Sequence, residues 1–155
     1  MELTKQHVLD FLKTNKLMSV ATFGAHPWIA NVFYVSDNEL NLYFLSDEKT
    51  LHCQQIAQNK KVAVAIVDSH QSYSDKLMGF QAWGTVKQIS DLEKLKFILK
   101  GLQQLLKAGD DLSYEKAIQK VASNKIYKIT PKRIKLYSEG LFGELPSGEE
   151  PVLEL

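Results

Sequence analysis

Between Leu17 and Leu45 the chain offers three apolar, β-compatible runs joined by turns too short to hold a helix. They are Leu17–Phe23 (LMSVATF), Trp28–Val35 (WIANVFYV) and Glu39–Leu45 (ELNLYFL). Gly24–Pro27 (GAHP) and Ser36-Asp37-Asn38 supply the turn residues. Consecutive strands joined this tightly run antiparallel, because a parallel return needs a crossover of about a dozen residues or more. The spacing predicts an antiparallel meander. Ahead of it, Thr4–Lys13 predicts a short helix with Val8, Leu9, Phe11 and Leu12 on one side and Thr4 as N-cap.

The period then changes. Thr50–Gln58 predicts a helix with Leu51, Ile56 and Ala57 on its buried side, ended by Asn59-Lys60-Lys61. Val62–Val67 (VAVAIV) is a near-continuous apolar run, the pattern of a strand buried on both faces. Asp68–Lys76 is a polar loop. Leu77–Ile89 predicts a long strand, with Gly79 and Gly84 as bulges or points of close approach. Ser90 is the expected N-cap of a helix reaching Lys107, with Glu93 in the capping-box position and a stripe of Leu92, Leu95, Leu99, Leu102 and Leu106. Ala108-Gly109-Asp110 breaks it, and Ser113–Ser123 predicts another short helix. Ile126–Tyr137 reads as a strand at an edge or carrying a bulge, because Pro131 lies inside it. Ser138–Leu155 reads as an irregular arm. The whole is mainly β, about six strands with helices inserted, and a sheet of that size hides its edges best by closing into a small barrel.

Composition narrows the function classes. The 155 residues suit one domain, 1–155, and can bury a core without disulfide or metal. A formal net charge of +1 gives no global attraction to nucleic acid or anionic membrane. No stretch reaches the roughly 18 apolar residues of a membrane span, and the amphipathic N-terminus is unlike a signal peptide. The lone Cys53 fits a reducing, cytoplasmic setting. The short basic clusters Lys60-Lys61, Lys132-Arg133 and Lys135 read as solvated surface.

One segment carries chemistry. In Leu42–Ile66 (LYFLSDEKTLHCQQIAQNKKVAVAI) a strand gives way to a helix, and Ser46, Lys49, Thr50 and His52 gather at the junction. A helix N-terminus has unpaired N–H groups and partial positive charge, so hydroxyls and cations placed there can seat a phosphate. The same residues also make an ordinary capped helix with Lys49 in solvent, and spacing alone leaves both readings open. Histidine titrates near neutrality, so a phosphate dianion beside His52 would favour its charged form.

The ordered series SVATFGAHPWIANVFYVSDNELNLYFLSDEKTLHCQQIAQNKKVAVAI, followed after a loop by GFQAWGTVKQI, resembles the flavin-binding split-barrel family that includes pyridoxamine 5′-phosphate oxidase. The resemblance runs from Leu17 through Tyr137. It implies a six-stranded antiparallel Greek-key split β-barrel. It also implies a homodimer with one FMN at each of two sites in the subunit interface, and oxidoreductase chemistry on a small molecule. On this pattern Ser46 matches the hydroxyl position at the end of the third strand, Thr50 matches the phosphate-binding hydroxyl, and His52 stands where a phosphate-binding lysine is usual. Ala30, Asn31 and Val32 match the second-strand stretch whose backbone runs beside the flavin ring. Gln81 falls in a strand that often supplies a glutamine near the ring, and Trp83, two residues on, shares its face. The chain departs from the oxidase in the second strand, where arginine is replaced by Ala30, and at the helix start, where Arg-Lys becomes Leu51-His52. The oxidase's C-terminal Trp and Arg have no clear counterpart in Ser138–Leu155. Lys49 is placed to compensate for one missing cation. Relatives on this barrel bind haem or a deazaflavin, and a haem would need His26, His52 or His70 as axial ligand. A dimer that stores or senses flavin without turnover is the non-enzymatic alternative.

Other residues have plainer readings. Trp28, Trp83, Tyr34, Tyr43, Phe80 and Phe142 could wall a flavin, but aromatics at this frequency also build cores and interfaces. His26 and His70 lack the clustered partners of a metal site. Cys53 follows His52 directly, and adjacent helical residues point about 100° apart, which argues against a nucleophile pair.

Overall fold

The computed structural model describes residues 1–106, 119, 123–146 and 150–155. Along the chain run α1 (Lys5–Thr14), β1 (Leu17–Phe23), β2 (Pro27–Phe33), β3 (Val35–Ser36), β4 (Leu42–Ser46), α2 (Leu51–Gln58), β5 (Lys61–Val67) and β6 (Met78–Ile89). Then follow α3 (Leu92–Leu106), β7 (Lys125–Ser138), a four-residue helix α4 (Glu139–Phe142) and β8 (Val152–Glu154). The break at 108–110 and almost all of the helix expected over Ser113–Ser123 lie outside the described residues.

All strands belong to one antiparallel sheet ordered β2-β1-β5-β6-β7-β4-β3, with β8 added beside β7. The expected meander is corrected at one residue. The second run does not stay with one partner: β2 pairs with β1, whereas β3 pairs with β4 through Val35↔Tyr43 and Ser36↔Leu42. Between them stands Tyr34, fully buried, whose backbone N–H donates to the Lys16 carbonyl and whose hydroxyl donates to the Leu12 carbonyl at the end of α1. One residue thus links strands at opposite ends of the sheet order, and the sheet curls on itself. Among the described residues eight strands result, where six are expected, because the second run is divided at Tyr34 and the tail contributes β8.

The curled sheet encloses a core of Met18, Val20, Val62, Val64, Ile66, Phe80, Ile129, Ile134 and Leu136, with Val8, Phe11 and Leu12 of α1 packed against it. The Phe11 and Phe80 rings stack at 6.1 Å. α1 begins with a capping box in which Thr4 accepts from the His7 N–H and the His7 ring accepts from the Thr4 N–H. β5 corrects a second expectation: Val62, Val64 and Ile66 are buried, but Ala63, Ala65 and Val67 face out. Two-sided burial belongs instead to β4. There Leu42 and Phe44 join the main core, while Tyr43 packs with Ile98 and Ile126 in a second cluster that Leu45, Ile89 and Leu95 extend. α3 supplies Ile98 and Leu95 and so covers that side of the sheet, coming so near that a Cβ on Gly101 would stand 2.7 Å from Val35. Its N-cap is Asp91, which accepts from the Glu93 N–H, one residue after the expected Ser90.

β7 is central, pairing with β6 along its length, with β4 over Lys125–Ser46 to Ile129–Leu42, and with β8 over Arg133 to Lys135. Pro131 falls where β4 has ended and β8 has not begun. The ladder to β6 passes from Trp83↔Arg133 to Gly84↔Pro131, leaving Lys132 as the extra residue of a bulge. A proline without an N–H is tolerated at such a break. The expected irregular arm is likewise corrected: α4 and β8 fold the tail back onto β7.

Candidate functional site

β4 ends at Ser46, and the next four residues form a tight turn. The Thr50 N–H and hydroxyl both donate to the Asp47 carbonyl, at 3.0 and 2.8 Å, and the Lys49 N–H donates to the Asp47 carboxylate. Thr50 is the N-cap of α2 by backbone conformation, yet its side chain caps no helix N–H. Its hydroxyl turns instead toward Ser46 and His52. His52 Nε2 lies 2.7 Å from Ser46 Oγ and 3.3 Å from Thr50 Oγ1, and the two hydroxyls are 3.5 Å apart. Ser46 and His52 are both buried. Three of the four predicted junction residues therefore converge on one point before the first turn of α2, where helix N–H groups have no intrahelical acceptor. The fourth, Lys49, is exposed beside them.

α2 is fixed against the β1–β2 hairpin by Gln55. Its amide accepts from the Thr22 hydroxyl at 2.6 Å and donates to the His26 carbonyl at 3.0 Å. Of the expected Leu51, Ile56 and Ala57, Ile56 is buried, and with it His52, Cys53 and Gln55 form the buried side of α2. Leu51 and Ala57 are exposed, since they flank the 52–53–56 stripe that faces the sheet.

Three residues behind His52 complete the surroundings. The Phe44 ring stacks on Tyr127 at 5.1 Å and lies 6.5 Å from the His52 ring. Cys53 is buried beside them. Burial pushes its thiol up, but the polar side chains of His52, Ser46, Thr50 and Tyr127 outweigh that and bring it to about 7. Burial, and then the thiol beside it, raise the Tyr127 phenol. The sequence argues only against a Cys53–His52 nucleophile pair and does not single out Tyr127, which β4 and β7 bring here by pairing through Phe44↔Tyr127.

The remaining predicted residues lie on the two faces of the sheet. Ala30 and Val32 stand opposite Val20 and Met18 and turn inward, half-buried. Asn31 points outward and accepts from Ser19 Oγ at 2.7 Å. Gln81 and Trp83 are also on the outer face, exposed. The register aligns these residues in two rows. One runs Asn31–Ser19–Ala65–Gln81–Lys135, the other Ile29–Ala21–Ala63–Trp83–Arg133. Around them Leu17, Phe33, Val67 and Tyr137 are exposed apolar side chains. Small residues flanked by large apolar ones form a broad surface with no covering element among the described residues.

Of the other aromatics, Tyr34 and Tyr43 are anchored inside, Tyr43 donating to Asp37 at 2.8 Å, and Phe80 is core. Phe142 packs on the core with its ring edge-on to His7, and Trp28 is exposed. His70 is exposed and bonded to Asp68, and His26 lies in the β1–β2 turn. Among the described residues no three His, Cys, Asp or Glu side chains are grouped to hold a metal ion. No helix among them is long and apolar enough to cross a membrane.

Residues 4–138 match the sequence model of the family described as pyridoxamine 5′-phosphate oxidase. Similar solved structures include a conserved hypothetical protein of Mycobacterium tuberculosis, 16% identical, with a TM-score of 0.77 over 95% of this chain and 91% of that one. A FAD-binding protein of Mesorhizobium loti is 14% identical, with a TM-score of 0.64 over 86% of this chain and 94% of the other. A heme binding protein of Mycobacterium smegmatis is 13% identical, with a TM-score of 0.67 over 99% of this chain and 59% of the other. At these identities the likeness is one of fold. No curated protein matches the sequence.

Proposed function

Because the chain belongs to the pyridoxamine 5′-phosphate oxidase family, we propose that it is a cytoplasmic FMN-binding homodimer with oxidoreductase activity on a small organic molecule. The observation that carries this reading is the convergence of Ser46, Thr50 and His52 at the start of α2. Two hydroxyls, an imidazole nitrogen and the first-turn N–H groups are a donor set suited to a phosphate dianion. Lys49 is the nearest exposed cation in sequence, and Ala30, turned inward, offers none. The donor set fits a phosphate ester and falls short of the oxidase only in its count of cations.

FMN, when bound, supplies the electron or hydride transfer. The residues of this chain bind and orient. Ser46 would donate to a phosphate oxygen, Thr50 would do so once its hydroxyl turns from the Asp47 carbonyl it now serves, and His52 would add a charge-assisted bond in its protonated form. Gln55 holds the α2 end rigidly against the β1–β2 hairpin, so the donors keep their geometry. Gln81 and Asn31 offer amide groups on the outer face, where a second subunit would enclose the ring. The exposed alanines of β5 support that arrangement, since an apolar strand face left in water suits a partner sheet.

The test is a flavin titration. The purified protein is expected to be yellow, to release FMN identified by mass, and to quench FMN fluorescence on rebinding. Ser46→Ala and His52→Gln are each expected to weaken FMN about tenfold or more, which is ~1.4 kcal/mol. A colourless protein that takes up no FMN, or unchanged affinity in both variants, overturns the reading.

A further inference from the structure

Arg133 and Lys135 read from sequence as solvated surface, but the register gives them a place. They end the two outer-face rows, Arg133 opposite Trp83 and Lys135 opposite Gln81. Within those rows they are the only cations; the remaining positions are Ile29, Ala21, Ala63, Trp83, Asn31, Ser19, Ala65 and Gln81. Both are held by carboxylates of the folded-back tail. Arg133 Nε lies 3.3 Å from Glu154, its register partner on β8, and Lys135 Nζ is bonded to Glu150.

The strand that brings those carboxylates is slight. β8 has three residues, flanked by two backbone bonds from Leu136 N–H to the Pro151 carbonyl and from Leu155 N–H to the Lys132 carbonyl. Glu150, Glu154 and Arg133 are all more than half exposed. An exposed ion pair such as Arg133–Glu154 contributes about 0–1 kcal/mol, whereas Lys135, 26% exposed, holds Glu150 in a partly buried pair. Cations two apart on one strand face are separated by roughly 7 Å along the backbone, and long side chains from such positions can converge on two linked anionic groups.

We propose that Arg133 and Lys135 form an anion site for the diphosphate group of a small ligand at the rim of the outer sheet face, and that Glu150 and Glu154 fill it in cis. β8 is then a displaceable strap, and a ligand with two linked phosphates competes with two tail carboxylates for the same pair of cations. A single phosphate engages both cations less well than a diphosphate. The site does not depend on the flavin reading, because the geometry is contained in β6, β7, β8 and Glu150 just ahead of β8.

The probe is inorganic pyrophosphate, titrated calorimetrically into flavin-free protein, with inorganic phosphate as the single-group comparison. The double variant Glu150→Gln/Glu154→Gln is expected to bind pyrophosphate at least tenfold tighter than wild type, with a smaller gain for phosphate. Adding Arg133→Gln and Lys135→Gln is expected to abolish the gain. The pair Glu39→Gln/Glu93→Gln makes the same change in net charge elsewhere and is expected to leave affinity at the wild-type level. A measurement on wild type needs no variant: saturating pyrophosphate is expected to speed amide exchange at Leu136 and Leu155. The proposal fails if the tail variant gains nothing, if the gain survives loss of the cations, if the control pair gains as much, or if exchange at those amides is unchanged or slowed. A protein that passes these tests yet takes up no FMN retains this site and loses the function proposed above.

Discussion

At the scale of single residues, Asp37 shows how one side chain can organise a turn. It accepts from the Glu39 N–H, the Asn41 N–H and amide, and the Tyr43 hydroxyl, all at 2.8–3.2 Å. Lys94 of α3 stands 3.9 Å away. Burial pushes the carboxyl up, but these bonds outweigh it and hold the group below the usual aspartate range. Leu40 adopts a left-handed backbone with φ of 66° inside the same turn, a strain the Asp37 bonds stabilise. Because the folded form holds the proton less tightly than the unfolded chain, the stabilisation is complete above the ordinary aspartate pKa of about 3.9. It is lost as pH falls through the lower folded value. Asp37→Asn is expected to cost about 1–3 kcal/mol at neutral pH, read by urea denaturation, and to flatten the acid limb of the stability profile. The turn was legible in Ser36-Asp37-Asn38, but the contacts to Tyr43 and Lys94 were not, since they depend on where β4 and α3 come to rest.

At the scale of elements, local pattern located the strands better than their surroundings. Val62–Val67 was recognisable as a strand, but its apolar continuity misrepresented its burial. Alanine and valine suit a face covered by another chain as well as one covered by a helix. β4 shows the converse, because its second buried face exists only where α3 lies over it. Gly84 was legible as a special position and proves to be one of contact. A Cβ there would stand 2.3 Å from the Thr130 carbonyl oxygen and 2.8 Å from Pro131 Cα, both backbone atoms that cannot swing aside. Gly84→Ala is expected to destabilise by about 3 kcal/mol, with the melting temperature as readout. Gly79→Ala in the same strand is the contrast: nothing lies within 4 Å of its added Cβ, and its effect is expected to stay within about 1 kcal/mol.

At the scale of the whole molecule, the chain curls one sheet around a core, and the described residues leave the outer face of β1, β2, β5 and β6 without a cover. A homodimer through that face is expected to run at twice the protomer mass of 17.6 kDa by light scattering. Ala65→Lys, placed mid-row between Ser19 and Gln81, is expected to return it to a monomer and to weaken flavin retention. A dimer that survives this change would remove the face from consideration. What the sequence determined by itself was local: the positions of the main strands and helices, the Asp37 turn, and the hydroxyl–histidine junction at the start of α2. Those depend on side-chain period, backbone freedom and neighbours a few residues away. Only the tertiary structure decided that Tyr34 divides a strand between two partners, that Cys53 and Tyr127 back His52, and that tail carboxylates meet Arg133 and Lys135. Each of these rests on strand register between segments far apart in the chain, and register follows from how all the strands share one core.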